Sequence, residues 1–255
     1  MVKFFHIVIL FRDSGFASTA SYQSKVQTLT SLSKANHEND LLLLNILPEK
    51  IASRLKLGEA DIADEYPQAS VMFADIINFT ELTEQLGAKK TVQILNKLFA
   101  ELDNLTEHYN VEKVKTIGDN YMAVSGVPIQ TTEHATNIAD YALAILERMC
   151  EFNKHHNLQL QFRIGMTYGT VIAGIIGQKK FLYDIWGNVV NLASRLEKSS
   201  LPNKIHISEK MAFMLADDYL IEPYKTLTLK GVGQINTYFL LGKKETEPNG
   251  EQTIT

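Results

Sequence analysis

From Ala69 onward the apolar residues of this chain change their period repeatedly, and the order of those changes constrains the fold more than any other feature. Residues 70–74 (SVMFA), apolar from Val71 on, end on Asp75 and read as a short buried strand. Leu95, Leu98, Leu102, Leu105 and Tyr109 then recur at spacings of three and four, which marks a helix with one buried stripe. Residues 111–116 and 121–125 flank Gly118-Asp119-Asn120 and read as a hairpin. Ala135, Ile138, Ala142, Ile145 and Met149 mark a second helix. Residues 160–166 and 171–176 read as strands around a turn at Tyr168-Gly169. Strand, helix, hairpin, helix, strand is the α+β, ferredoxin-like split βαβ plan. A helix at 188–198 and strands near 204–207, 225–228 and 237–241 extend it, with no internal repeat and no low-complexity tract.

Composition narrows the class. The 255 residues are 45% hydrophobic and 21% charged, the profile of a soluble globular protein long enough to build a core without disulfide or metal staples. A net charge of −4 provides no bulk positive field and argues against nucleic acid as a partner. The single cysteine, Cys150, excludes an intrachain disulfide, fits a cytoplasmic setting and, with scattered histidines, argues against structural zinc. His155-His156 sits in a polar stretch and reads as a solvated loop.

The domain plan has four parts. Residues 1–38 are an N-terminal extension of unassigned role. Its apolar run at 4–11 is far shorter than the ~20 residues of a spanning helix. Arg12 and Asp13 interrupt what would otherwise resemble a signal peptide. Residues 14–38, rich in Ser, Thr, Gln and Lys, read as a linker or a loosely held helix. Residues 39–65 hold a leucine-rich helix stopped at Pro48 and an amphipathic one, EKIASRLK, fit for docking or dimerising or simply for packing on its own domain. Residues 66–243 form the catalytic-type domain and 244–255 a polar tail.

Two carboxylates set the chemistry. Asp75 closes an apolar strand and Asp119 sits at a hairpin tip. In a split βαβ sheet the first strand lies beside the central hairpin, so the two converge at one edge. Gly-Asp is an ordinary turn pair, which explains Asp119 alone. A carboxylate straight after Val-Met-Phe-Ala needs partners to offset its desolvation. Such a pair suits Mg²⁺, which takes its remaining ligands from water and substrate phosphates. A helix N-terminus near Thr80 would present free N–H groups to a triphosphate.

Five segments now stand together: FADIINFTELTE (73–84), VEKVKTIGDNYMAVSG (111–126), FRIGMTYGTVIAGIIG (162–177), YDIWGNVVNLASRLE (183–197) and TLKGVGQINTYFL (228–240). In this order and register they resemble the catalytic domain of class III nucleotidyl cyclases over residues 68–242. Residues 39–58 resemble the helical transducer that precedes such domains and couples them to sensors.

The resemblance implies a two-metal site. Asp75 and Asp119, with Ile76 beside them, match the metal-binding positions for Mg²⁺ or Mn²⁺, two ions per site. One ion would help activate the ribose 3′-hydroxyl, and the other would neutralise the β- and γ-phosphates. Asn191 and Arg195, four apart and so on one helix face, match the transition-state pair. Lys230 matches a triphosphate-binding lysine. Asn78, Phe79 and Thr80 fall in the phosphate loop, and Ile185 and Trp186 flank the base-binding position. Taken one at a time, each has an ordinary reading: a polar helix residue, a surface ion pair, a solvated turn lysine.

Base choice rests on Lys115, where guanylyl-type members carry glutamate, and Asp184, where they carry cysteine or another small residue. A lysine donor with an aspartate acceptor complements the N1 and N6 edge of adenine and mismatches guanine. The ordinary reading of Lys115 is a salt bridge to a nearby acid, Asp184 among them. The resemblance therefore implies an adenylate cyclase acting on ATP as a homodimer with shared active sites, since both residue sets lie on one domain. It also implies an upstream sensor, and a longer parent chain could carry a membrane attachment. Asn78 departs from a common glycine, and Thr170 stands where heterodimeric animal enzymes have a phosphate-binding arginine, which favours a homodimer. A guanylate cyclase, or a catalytically silent nucleotide-binding dimerisation module, are the alternatives. Lys115 and Asp184 oppose the first, and the intact Asp75, Asp119, Asn191 and Arg195 oppose the second.

Overall fold

No glycine or proline interrupts residues 19–47, so nothing in this polar stretch breaks a helix. In the computed structural model, which describes residues 19–177, 179–229 and 233–245, the segment forms a continuous helix α1 (Thr19–Leu44). Hydroxyls that would compete with the backbone are absorbed by it: Thr30 Oγ1 donates to the Val26 carbonyl at 2.8 Å and Ser31 Oγ to that of Thr28 at 2.9 Å. The helix runs unbroken past residue 38, and its described part takes the helical one of the two readings given for residues 14–38. Pro48 opens α2 (Glu49–Lys56) as expected, accepting from Ala52 N at 2.9 Å, and Lys56 pairs with Asp40 at 2.7 Å. The chain divides into two compact units, Met1–Lys56 and Leu57–Thr255. No described helix is long and apolar enough to cross a membrane.

The second unit begins with β1 (Ala63–Ile76), α3 (Phe79–Leu86) and α4 (Ala88–Thr106). The hairpin β2 (Glu112–Ile117) and β3 (Asn120–Ser125) follows, then α5 (His134–His156), β4 (Phe162–Ile176), β5 (Leu182–Trp186) and α6 (Asn188–Lys198). It closes with β6 (Lys204–Ser208), α7 (Glu209–Leu215), β7 (Tyr219–Leu229) and β8 (Gly233–Lys243). The sheet order is β2-β3-β1-β4-β6-β8-β7, with β5 paired to β4. Its first four strands, linked by α4 and α5, are the expected split βαβ core.

Alternation along the central strands assigns the two faces. Met72, Ala74 and Ile76 of β1 join Leu98, Leu102, Ile138 and Ile145 in a core roofed by α4 and α5. Phe73 and Asp75 therefore face the other side. There Gly165 of β4 lies directly beneath α6, where an added Cβ would come within 1.9 Å of the Glu197 amide nitrogen. The absence of a side chain at 165 is what lets α6 sit on the sheet.

Four elements differ from the expectation. The strand 70–74 is the end of a 14-residue strand. No turn divides β4 at Tyr168-Gly169, because both residues stay paired with β1, opposite Ser70 and Ala69. The irregularity falls instead in β1 between Tyr66 and Ala69, and Gly169 takes φ 150 beside it. Strand β5 and helix α7 were not anticipated, since five- and seven-residue elements show too little periodicity.

Candidate active site

Asp75 stands where β1 leaves the sheet, paired across the ladder with Arg163 of β4. Its Oδ2 accepts from Arg163 Nη2 at 2.6 Å and its Oδ1 from Asn120 Nδ2 at 3.3 Å. Asp119 follows Gly118, whose φ of 66 makes the two-residue hairpin turn without strain. Asp119 lies near enough to Asp75 to feel its charge: burial first, and also Asp75, push the Asp119 carboxyl above its ordinary range, against its own backbone amide and Arg163. Two neighbouring carboxylates, with one arginine as counter-charge, form a donor set that fits divalent cations. Among the described residues no group of three or more His, Cys, Asp or Glu side chains is placed to hold a metal ion, so substrate oxygens or water would complete the shell.

Sequence reasoning missed Arg163, Asn120 and Glu197. Glu197, on α6, is 1% exposed, with Oε1 3.5 Å from Arg163 Nε and Oε2 accepting from Asn120 Nδ2 at 3.3 Å. Burial first, and the charge of Asp75 second, push its carboxyl up to about 7. The sequence carries only a faint signal, masked by the adjacent Lys198: Glu197 follows Ala193 by four residues and falls on the buried face with Val189 and Leu196.

Lys115 and Asp184, 69 positions apart, form a direct ion pair between Lys115 Nζ and Asp184 Oδ2. Asp184 is buried, and its Oδ1 also accepts from the Ile185 amide at 2.9 Å. The pair reports a curl in the sheet. Asp184 is bonded to β4 at Gly174, whereas Lys115 lies in the row of Met122, Phe73 and Gly165, nine residues back along β4. The β4–β5 arm must therefore fold back over the sheet. On the same side of the arm as Asp184, the cross-strand pairs Ile172–Trp186 and Ile176–Leu182 are exposed.

Asn191 and Arg195 are exposed on α6, one turn apart, as expected. Among the described residues no side chain hydrogen-bonds or pairs with either. Asn78 takes the left-handed φ of 58 that glycine would otherwise supply, so its substitution leaves the loop intact, and α3 starts at Phe79. Thr80 is exposed in the first turn, Phe79 packs on the core, and Ile76 and Ile185 are buried. Lys230 lies outside the described residues. A cavity of about 710 Å³ at the far end of the hairpin, lined by Glu107, Asn110, Glu112 and Ile129, holds none of the expected site residues.

Comparison with known proteins decides the family. The model of the adenylate and guanylate cyclase catalytic domain matches residues 62–242. The chain belongs to the class III nucleotidyl cyclases. This cyclase is 36% identical over 220 residues to an adenylate cyclase of Mycobacterium bovis, covering 86% of the chain but 50% of the relative. It is 38% identical over 210 residues to a receptor-type guanylate cyclase of Caenorhabditis elegans, covering 81% of the chain and 16% of that protein. The cyclase thus spans at most half the length of these two relatives. Among solved structures, the guanylate cyclase domain of RhGC from Catenaria anguillulae in complex with GTP superposes with a TM-score of 0.68 at 34% identity, over 71% of this chain and all of that one.

Proposed function

We propose that this cyclase is an adenylate cyclase, converting ATP to 3′,5′-cyclic AMP and pyrophosphate in a symmetric homodimer. The observation that carries the choice of base is the Lys115–Asp184 pair. A buried carboxylate and an ammonium held together, on strands that meet only because the arm folds back, offer one acceptor and one donor. Adenine presents N6–H₂ to the acceptor and N1 to the donor. Guanine presents O6 and N1–H in the opposite sense, and each mismatch leaves a buried polar group unpaired at about 1–3 kcal/mol.

In the reaction the ribose 3′-oxygen forms a bond to the α-phosphorus, the bond from that phosphorus to the bridging oxygen of pyrophosphate breaks, and the 3′-proton is lost. Asp75 and Asp119, with the backbone of Ile76, would hold Mg²⁺ or Mn²⁺, two ions per site. Held there, the ions would supply Lewis acidity toward the 3′-hydroxyl and positive charge to the phosphates. Asn191 orients the ribose and Arg195 balances charge growing on the α-phosphate. The α3 N-terminus at Asn78, Phe79 and Thr80, together with Lys230, receives the triphosphate.

The homodimer reading is supported by what one chain leaves unused. Asn191 and Arg195 are exposed without side-chain partners among the described residues, and the arm exposes Ile172, Ile176, Leu182 and Trp186 side by side. A two-fold pair would cover that surface and build two sites from opposite halves. The end of α1 and α2, within residues 39–65, would form the transducer to an upstream sensor, in the division 1–38, 39–65, 66–243 and 244–255 drawn from the sequence. The test is product identification from ATP and from GTP, with Mg²⁺ and with Mn²⁺, at several protein concentrations, using Asp75→Ala as blank. Cyclic AMP rising faster than linearly with protein supports the reading. Cyclic GMP as the main product overturns the base assignment.

A further inference from the structure

The arginine beside Asp75 poses a problem for a metal site. Arg163 Nη2 lies 2.6 Å from Asp75 Oδ2, so a fixed cation already occupies part of the carboxylate that a divalent ion would use. An arginine bound to one acid alone would compete with the ion directly. Arg163 is not bound to one acid alone. Its Nε is 3.5 Å from Glu197 Oε1, and Asn120 Nδ2 reaches both acids, 3.3 Å from Asp75 Oδ1 and 3.3 Å from Glu197 Oε2. The four side chains close a ring in which Arg163 and Asn120 each bridge Asp75 to Glu197.

Two details show the ring under-filled on the side of Glu197. Among the described residues, the buried atoms Glu197 Oε1, Arg163 Nε and Asn120 Oδ1 have no hydrogen-bond partner. The Nε–Oε1 contact at 3.5 Å is an ion pair still short of a hydrogen bond, so Arg163 has room to move toward Glu197. Glu197 cannot move to meet it, because its backbone is pressed against Gly165 and its side chain is 1% exposed. It is a fixed second anchor for the arginine.

We propose that Glu197 is a positioning residue for the metal site: by sharing Arg163 with Asp75 it lets the aspartate accept a divalent cation while the arginine stays charge-compensated. The inference rests on the reading of Asp75 and Asp119 as metal-holding. With Glu197 neutralised, the whole guanidinium charge falls on Asp75 and the ion binds more weakly. With Arg163 neutralised as well, the competitor is gone and binding recovers. A merely structural role for Glu197 predicts no such recovery, since the double change removes still more of the packing.

The experiment is titration of the full chain with Mn²⁺ alone, following free ion by electron paramagnetic resonance, so that no turnover is involved. Thermal unfolding is recorded on each protein. Glu197→Gln is expected to weaken Mn²⁺ binding by about tenfold or more, the range that positioning partners of metal ligands show. Glu197→Asp, which keeps the charge at shorter reach, is expected to weaken it less, and it serves as the probe if the glutamine variant does not fold. Adding Arg163→Gln to Glu197→Gln is expected to restore most of the loss. Wild-type binding in both Glu197 variants, or a double variant weaker than the single, overturns the proposal. Asp75→Ala separates the two levels. If it lowers Mn²⁺ binding while the Glu197 variants do not, only the positioning role fails, and if it leaves binding unchanged, the metal reading falls with it.

Discussion

Replacing Gly165 by alanine tests how the site is mounted. The added Cβ would lie 1.9 Å from the Glu197 nitrogen, 2.5 Å from its Cα and 2.6 Å from the Ala193 carbonyl oxygen. All three are backbone atoms of α6, so no rotamer change relieves the clash. Ordinary contact begins near 3.4 Å, and the helix must therefore back off the sheet by about 1.5 Å. Overpacking of this kind costs about 1–3 kcal/mol, which for a unit of this size lowers Tm by about 3 to 9 °C. Asn191, Arg195 and Glu197 ride on the same helix and move with it. A 1 Å misplacement of catalytic groups costs about 10²-fold, so kcat should fall by at least about a hundredfold in protein that still folds. Gly242→Ala is the control, because nothing lies within 4 Å of a Cβ there. Initial-rate cyclase assays and thermal melts on the two variants suffice. A Gly165→Ala protein with unchanged rate and Tm would refute the packing of α6 on β4.

Other expectations follow from the same structure. Lys115→Glu combined with Asp184→Cys exchanges the donor and acceptor presented to the base. The ratio of kcat/KM for ATP over GTP should fall by on the order of a hundredfold or more, and a ratio left unchanged would sink the base assignment. Burial of His206 drives its imidazole down to about 4, with Nδ1 2.9 Å from the Leu196 carbonyl oxygen. Between pH 6.5 and 4 the unfolded chain takes up a proton that the folded one refuses, so this contribution is complete above pH 6.5 and drains away as pH falls. Denaturant titrations should show wild type losing up to about 3 kcal/mol more than His206→Asn across that window. Parallel curves for the two would contradict the burial argument. Glu112 and Glu197, both pushed up to about 7 by burial, act in the opposite sense but are common to both proteins.

The legible part of the site was the part where chemistry clashes with local pattern. Asp75 after four apolar residues, Asp119 at a glycine turn and the spacing of Asn191 and Arg195 all stand out against their surroundings. Arg163 and Glu197 do not. The first sits second in a strand whose start tolerates a charge, and the second precedes Lys198 and passes for half of a solvated pair. Their meaning comes from pairing across the ladder and from the fit of α6 on Gly165, both set by residues far away in sequence. The same holds for the fold. The split βαβ order follows from local periods, whereas the unbroken course of β4 depends on an irregularity in β1 that adjusts the pairing opposite Gly169. Nor does local pattern reveal that the β4–β5 arm turns back, which is what joins Lys115 to Asp184.

In the proposed homodimer each active site is assembled from two copies of this chain, with Asp75 and Asp119 supplied by one and Asn191 and Arg195 by the other. Asp75→Ala and Arg195→Ala are each expected to be inactive alone. Mixed in equal amounts and allowed to exchange, half of the dimers carry both changes, and each of those holds one site built entirely from unaltered residues. Cyclic AMP formation should therefore return to about a quarter of the wild-type rate. A mixture as silent as its components, with exchange confirmed by a tag on one variant, would contradict the account.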